Sequence, residues 1–278
     1  MRVLLACGGS GGHITPAIAM AEMLKSAFPN TYCAFVGNEN GMERRIVTEN
    51  GYPFHPLPIE GLHRSLTLRN LRTLFLAAKA PARARSIIKS VCPDLVIGTG
   101  GYVSYPVIPA AAKMGIPTLL YEPNATPGLS IRLTEKYATE ILLQFDDCAR
   151  HFKYRERTRV IGALLREGFS GHTRQKARET LGLPQNGFIV LCFGGSLGAE
   201  CISRAATESF SFARAQGITL IHGCGNRLYD ALRVKCPEEA REKLLLPYIE
   251  DMASYMAASN LVICRAGAMT LEIGRAHV

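Results

Sequence analysis

The chain has 278 residues, of which 47% are hydrophobic and 20% charged, a balance that excludes a disordered polypeptide and suffices for two domains of ordinary size. With 32 Lys and Arg against 23 Asp and Glu, the net charge of +9 favours anionic partners: phosphates, nucleic acid or an anionic membrane face. The nine cysteines include no C-x-x-C pair, and Cys33, Cys192 and Cys264 sit in apolar strand-like runs. That excludes a disulfide framework or a zinc site and points to buried thiols in a reducing cytoplasm. No signal peptide is expected, because the first residues already read as a strand. No apolar run approaches the ~20 residues that span a bilayer.

The first element is the apolar run Val3-Leu4-Leu5-Ala6, a short buried strand. It opens into Cys7-Gly8-Gly9-Ser10-Gly11-Gly12-His13, and residues 15–24 follow at helical spacing, with Pro16 suited to a first turn. Bare N–H groups and the positive end of a helix dipole above such a loop favour a phosphate. A dinucleotide fingerprint starting at Gly9 would need glycine at position 14, where Ile14 stands, so a nicotinamide or flavin cofactor is disfavoured. His13, at the helix start, has the near-neutral titration of a general base. Its plainer reading is a cap or packing residue.

A strand at 32–37, a helix at 42–50 and an extended stretch at 53–59 come next. Alternation of this kind predicts a parallel sheet with right-handed crossovers. From Gly61 to Pro93 there is no acidic residue, but there are Arg64, Arg69, Arg72, Lys79, Arg83, Arg85 and Lys89. Leu68, Leu71, Phe75 and Ala78 share one helical stripe, read here as an inward face of two amphipathic helices. The arginines then face solvent or an anionic membrane. Nucleic acid is not expected, since no aromatic-interleaved binding module is present.

A buried strand at 94–98 opens into Thr99-Gly100-Gly101-Tyr102, with a helix at 107–114. Two glycine loops at the ends of strands in one sheet predict a shared anion site. The strand ending at Leu120 leads to Tyr121-Glu122-Pro123-Asn124. Glu122 reads either as a partner that orients His13 or as a charge at the start of the next helix, near Pro127-Gly128. Asn124 is placed to hold a sugar amide or hydroxyl. Strands at 138–144 and 158–162 complete the first half, and a polar stretch at 162–172 containing Arg166 marks the boundary. The expected domains are therefore 1–162 and 163–278. The pattern then restarts: a strand at 187–193, Gly194-Gly195-Ser196-Leu197-Gly198-Ala199, and a helix at 200–214. Strands at 218–223, 244–247 and 260–264 and a helix beyond Ile249 follow, then the turn Arg265-Ala266-Gly267-Ala268-Met269-Thr270.

Taken together, the motifs at 8–13, 100–104, 122–124, 194–199, 249–252 and 265–270 resemble those of the MurG family of N-acetylglucosaminyltransferases, in the same order. The resemblance implies an α/β fold of the GT-B type: two Rossmann-like parallel-sheet domains facing a cleft, the second incomplete. It implies that UDP-N-acetylglucosamine is held by Ser10, Gly11, Gly12, Asn124, Arg166, Ser196, Ile249, Ala268, Met269 and Thr270. The undecaprenyl-linked acceptor, lipid I, would lie against Gly9, Gly100, Gly101, Tyr102 and Glu122. His13 would be the catalytic base, with no metal and no cofactor, and the basic helices would rest on the cytoplasmic face of the membrane.

Three places depart from the family pattern. Gly162-Ala163-Leu164-Leu165-Arg166 stands for Gly-Asn-Pro-Val-Arg. Thr270-Leu271-Glu272 is one residue short of Thr-x-x-Glu. The tail 272–278 reads as translated adapter sequence, so a C-terminally truncated member is expected. The function implied is inverting transfer of N-acetylglucosamine to the muramoyl 4-hydroxyl of lipid I, giving lipid II. The alternatives are another GT-B lipid glycosyltransferase, a UDP-sugar epimerase, or a fragment that binds ligand without turnover.

Overall fold

The computed structural model describes all residues except 62–68, 165–172, 196–197, 242, 266 and 268–278, and the side chains of all but those and of 69–72, 74 and 239. The chain divides into two compact units, Met1–Arg166 and Glu167–Val278. In the first the elements run β1 (Arg2–Ala6), α1 (Gly11–Ala27), β2 (Tyr32–Gly37), α2 (Met42–Glu49), β3 (Phe54–Pro56), α3 (Arg69–Val91), β4 (Leu95–Gly98), α4 (Gly101–Lys113), β5 (Thr118–Glu122), α5 (Leu129–Thr134), β6 (Glu140–Leu143) and β7 (Thr158–Val160). The seven strands are all parallel, in the order β3-β2-β1-β4-β5-β6-β7. Winding runs outward in both directions from β1 and β4, so the loops leaving these two strands open side by side. That is the switch point where ligands of parallel sheets bind.

The apolar runs form strands because both faces are covered, as a parallel sheet requires. Val3, Leu4, Leu5 and Ala6 are all completely buried. Leu4 and Ala6 join one core with Ala80, Ala84 and Ile88 of α3 and Val103, Val107 and Ile108 of α4. Val3 and Leu5 join the other, with Ile14, Ala17 and Ile18 of α1 and Val47 of α2. Each fully buried Leu, Ile or Val side chain contributes about 1.5–3 kcal/mol, so the sheet centre is the firmest part of the unit.

Two expectations need correction here. The described part of the basic segment is one helix, from Arg69, and its buried positions include Ala80, Ala84, Ile88 and Val91, whereas Phe75 and Ala78 of the expected stripe face outward. Phe75 is 58% exposed and Ala78 is exposed too, while Leu68 and the Leu71 side chain lie outside the described residues. Small side chains won the inward face because α3 packs closely on α4 and on the sheet. The helix expected at 107–114 begins at Gly101, with Pro106 and Pro109 inside it. Burial of Val103, Ser104, Val107 and Ile108 outweighs the two lost backbone donors.

The second unit contains α6 (Arg174–Thr180), β8 (Phe188–Phe193), α7 (Glu200–Ala215), β9 (Ile218–Gly223), α8 (Asn226–Arg233), α9 (Glu238–Arg241), β10 (Leu245–Leu246), α10 (Met252–Ala258) and β11 (Leu261–Cys264). Its four described strands are parallel, in the order β10-β9-β8-β11, so the switch point falls between β8 and β11. At the edge of the described strands, β11 leaves Leu261 and Ile263 nearly half exposed. Arg178 is buried and ties α6 down. It donates to the carbonyls of Ala258 (2.9 Å) and Gln185 (2.8 Å) and to Asn260 Oδ1 (2.7 Å). All nine cysteines are free, and burial pushes the thiols of Cys192 and Cys224 up to about 11. No helix among the described residues is long and apolar enough to cross a membrane.

Candidate functional site

In the first unit the loop after β1 and the loop after β4 are knitted together. Thr99 N–H donates to Ala6 O at 3.1 Å, and Ser104 Oγ, fully buried, donates to Ala6 O (3.1 Å) or Gly100 O (2.8 Å) while accepting Gly100 N–H (3.2 Å). A Cβ at Gly101 would overlap the carbonyl oxygen of Gly8, and Gly101 has φ +73°. Only glycine allows the two backbones to touch there.

His13 is fixed from two sides. Its Nδ1 lies 2.9 Å from Thr99 O, and Thr99 Oγ1 donates to His13 O at 2.7 Å. A carbonyl only accepts, so Nδ1 carries the proton and Nε2 keeps its lone pair. A Cβ at Gly100 (φ +98°) would come within 2.6 Å of Nδ1, so the ring occupies space that only glycine at that position leaves open. Burial pushes the imidazole pKa below its ordinary value, against the pull of the Glu122 charge and the Thr99 carbonyl. The residue is thus neutral near pH 7, as a general base must be.

The backbone around it is poor in partners. Ser10 is the N-cap of α1, yet its hydroxyl caps nothing, and the first turn has no acidic residue. Gly100 is the N-cap of α4, again without a side-chain cap or an acid. Among the described residues no protein acceptor takes the N–H of Gly9, Ser10, Gly11 or Gly12. Two positive helix ends without acids at one switch point are chemically suited to phosphate oxygens.

Tyr102, half-buried, stands over Gly9 and Gly61, where added Cβ atoms would each meet its ring at 3.1 Å. Its hydroxyl accepts from Asn38 Nδ2 at 3.3 Å, and burial raises its pKa. Asn38 N–H in turn donates to Glu43 Oε1 at 2.9 Å. Glu43 is completely buried beneath the first loop, in space left by Gly8, Gly37 and Gly41, and its Oε2 has no partner among the described residues.

At the end of β5, Glu122 is also completely buried. Its Oε1 accepts Asn124 N–H (2.9 Å) and Asn124 Nδ2 (2.7 Å), and its Oε2 accepts Gly128 N–H (2.8 Å) at the start of α5. Both sequence alternatives are thereby adjusted. Glu122 does serve the helix start, and it acts on His13 through its charge rather than by a hydrogen bond. With the carboxylate enclosed, direct contact with an acceptor is not part of its geometry.

The second unit repeats the device in a different form. A Cβ at Gly198 (φ +73°) would overlap Cys224 O, and one at Gly194 would overlap Ala199 N. Gly223 is covered by Ile249, whose side chain is buried in the core, so any ligand contact at Ile249 falls to its backbone. Asp251 caps α10 by accepting Ser254 N–H at 3.1 Å. His222 is completely buried. Its Nδ1 lies 3.0 Å from Cys192 O, and its Nε2 has no partner among the described residues.

Of the residues expected to bind ligand, Gly9, Ser10, Gly11, Gly12, His13, Gly100, Gly101 and Tyr102 meet at one sheet edge, and Glu122 and Asn124 stand at the end of the neighbouring strand. Arg166, Ser196, Ala268, Met269 and Thr270 lie outside the described residues. Sequence reading missed Thr99, Asn38 and Glu43. Gly37 and Gly41, close to Glu43 in sequence, were the nearest thing to a signal for it, and Gly8, from a distant loop, gave none. Among the described residues no group of three or more His, Cys, Asp or Glu stands where it could hold a metal ion.

Comparison with known proteins gives this geometry a context. Residues 3–143 match the glycosyltransferase family 28 N-terminal domain, and residues 189–276 match the family's C-terminal domain. A Desulforudis audaxviator protein is 38% identical over 98% of this chain and 74% of its own length. One from Acetivibrio thermocellus is 37% identical with the same coverage. Both are named UDP-N-acetylglucosamine–N-acetylmuramyl-(pentapeptide) pyrophosphoryl-undecaprenol N-acetylglucosamine transferase. The crystal structure of Acinetobacter baumannii MurG superimposes with a TM-score of 0.64 at 27% identity, covering 97% of this chain and 73% of that one. A UDP-GlcNAc 2-epimerase from Methanocaldococcus jannaschii gives 0.62 at 12% identity over 100% of this chain and 82% of its own, a likeness of fold alone.

Proposed function

The chain belongs to glycosyltransferase family 28, and we propose that it transfers N-acetylglucosamine from UDP-N-acetylglucosamine to the muramoyl 4-hydroxyl of lipid I, forming lipid II. The fold does not separate this from epimerisation, because epimerases share it. The sequence relatives do, at 37–38% identity over nearly the whole chain.

The observation that carries the mechanism is the His13–Thr99 contact. With its proton held at Nδ1, the ring offers Nε2 to the 4-hydroxyl. As that oxygen attacks the anomeric carbon from the face opposite UDP, its proton passes to Nε2 and the sugar–phosphate bond breaks. The configuration inverts, and UDP leaves with the electron pair. The bare ends of α1 and α4 support a diphosphate in this reading, with Tyr102 flanking it. The first unit is assigned the acceptor, and the UDP-sugar is assigned mainly to the second, with some donor contacts from the first. Arg166, Ser196, Ile249, Ala268, Met269 and Thr270 carry the donor assignment with Ser10, Gly11, Gly12 and Asn124.

Membrane docking rests on the first unit's helical layer. The helices α3, α4 and α5 pack in sequence over one sheet face and leave Phe75, Tyr105, Leu129 and Leu133 exposed, accompanied by Lys79, Arg83, Arg85 and Arg132. Apolar side chains among basic ones suit an anionic bilayer surface. Flotation with anionic vesicles, and none with neutral ones, is the expected behaviour. Equal flotation with both removes the electrostatic part of this reading.

The deciding experiment offers the chain labelled UDP-N-acetylglucosamine with lipid I, with diacylglycerol, or with no acceptor. Labelled lipid II in the first mixture alone is expected. Transfer to diacylglycerol, or an epimerised sugar nucleotide without acceptor, overturns the assignment.

A further inference from the structure

The three hydrogen bonds received by Glu122 determine more than the start of α5. Two of the donors are backbone N–H groups on different oxygens, Asn124 N on Oε1 and Gly128 N on Oε2. Both oxygens are therefore acceptors, and the side-chain group that approaches Oε1 at 2.7 Å has to be the amide nitrogen of Asn124, not its carbonyl. The amide assignment follows from the network and leaves no freedom to flip. Asn124 is itself exposed, and no described residue donates to its Oδ1.

We propose that Glu122 is a positioning residue that holds Asn124 with its amide nitrogen inward and its carbonyl outward, so that Asn124 meets ligand only as a hydrogen-bond acceptor. The site then selects a hydroxyl or an acetamido N–H at that point and rejects a carbonyl or phosphate oxygen. This rests on the assignment of Asn124 to the sugar nucleotide, and it says which part of that ligand Asn124 touches: the sugar, not the diphosphate.

Two variants test it. In Glu122→Gln an amide NH2 meets either Gly128 N–H or the two Asn124 donors. Asn124 is then free to turn, and the KM for UDP-N-acetylglucosamine rises roughly tenfold or more while kcat moves much less. Asn124→Asp gives a pH signature that a purely structural role would not. At low pH the new carboxyl shares a proton with Glu122, donates to it, and still presents a carbonyl outward. As pH rises both groups ionise and repel. Relative to the parent chain, its donor KM is expected within about threefold at pH 6 and at least tenfold higher by pH 8.5. Among the described residues, the other titratable groups that feel Glu122 are His13 and Cys148. His13 titrates in parent and variant alike, and the Cys148 thiol, pushed up to about 12 by burial and then by the Glu122 charge, stays protonated throughout.

A pH-independent KM ratio for Asn124→Asp, or a Glu122→Gln chain with the parent's KM, overturns the proposal. If the parent chain does not use UDP-N-acetylglucosamine at all, the functional assignment is what fails. The side-chain amide spectrum of Asn124 then decides the positioning claim by itself. One protected Nδ2 proton that loses protection in Glu122→Gln supports it, and two freely exchanging protons refute it.

Discussion

The two units solve the same problem, opening a parallel sheet at its switch point, with opposite emphasis. In the first, the helices entered from the glycine loops carry no acid in their first turns, and neither N-cap residue caps with its own side chain, so the positive ends are not neutralised. The same edge fixes three ionisable side chains in place: His13 on Thr99, Tyr102 on Asn38, and Glu122 on Asn124 and Gly128. In the second, α7 begins with Glu200 in its first turn, which offsets part of its dipole. There the imidazole, His222, is shut inside the sheet. The difference teaches that the repeated strand–glycine–helix pattern is a scaffold, and that only at the first edge does an imidazole stand partly open to solvent with its tautomer already chosen, which is why the proposed proton transfer is assigned there.

What the two edges share can be broken first, with the largest effect. Gly101→Ala and Gly198→Ala each force a Cβ onto a backbone carbonyl at positive φ. The backbone strain alone costs about 1–3 kcal/mol before the overlap is counted, so both variants should unfold at lower denaturant concentration. Gly51→Ala, at φ +74° with open space around it, is the control that carries strain without overlap and should lose less. Equal losses at all three positions would mean that the close backbone approach is not what these glycines provide.

A smaller effect sharpens the contrast between the two histidines. Burial lowers the pKa of His222, opposed by its bond to the Cys192 carbonyl. A group whose folded pKa lies below its unfolded value binds more protons when unfolded. Its stabilising contribution is therefore complete above about pH 6.5 and is lost as pH falls toward the folded pKa. His13 adds to the same slope in the same direction. Thermal unfolding followed from pH 7.5 to pH 5 should show a falling midpoint, and His222→Gln should flatten part of that fall. An unchanged slope in His222→Gln would show that the buried ring does not titrate with unfolding.

Much of this was legible in the chain itself, because apolar runs of four to six residues ending in glycine mark buried parallel strands and their exits. The glycine loops at the ends of the strands were expected from the sequence, whereas the strand order that makes two of them a switch point was not. What could not be read has physical reasons. Thr99 and His13 lie 86 residues apart, and the bond between them involves a main-chain carbonyl, which leaves no trace in residue type. Glu43 looks like an ordinary acid at a helix start, and only the space vacated by three glycines shows it to be buried. The Phe75 and Ala78 part of the expected α3 stripe misled because hydrophobicity was weighed above size. Alanines at 80 and 84 let the helix approach closely, and the bulkier Phe75 was left outside. By contrast, the Glu122 network links residues no more than six apart in sequence and was open to local reading.

The central claim is that the imidazole at the first edge, with its proton parked at Thr99, accepts the proton of the attacking hydroxyl. It is tested most directly by His13→Ala assayed with UDP-N-acetylglucosamine and lipid I at saturating concentrations. The account predicts a fall in kcat of about 10²–10⁴ with the donor KM little changed. A variant that turns over at close to the parent rate would contradict it.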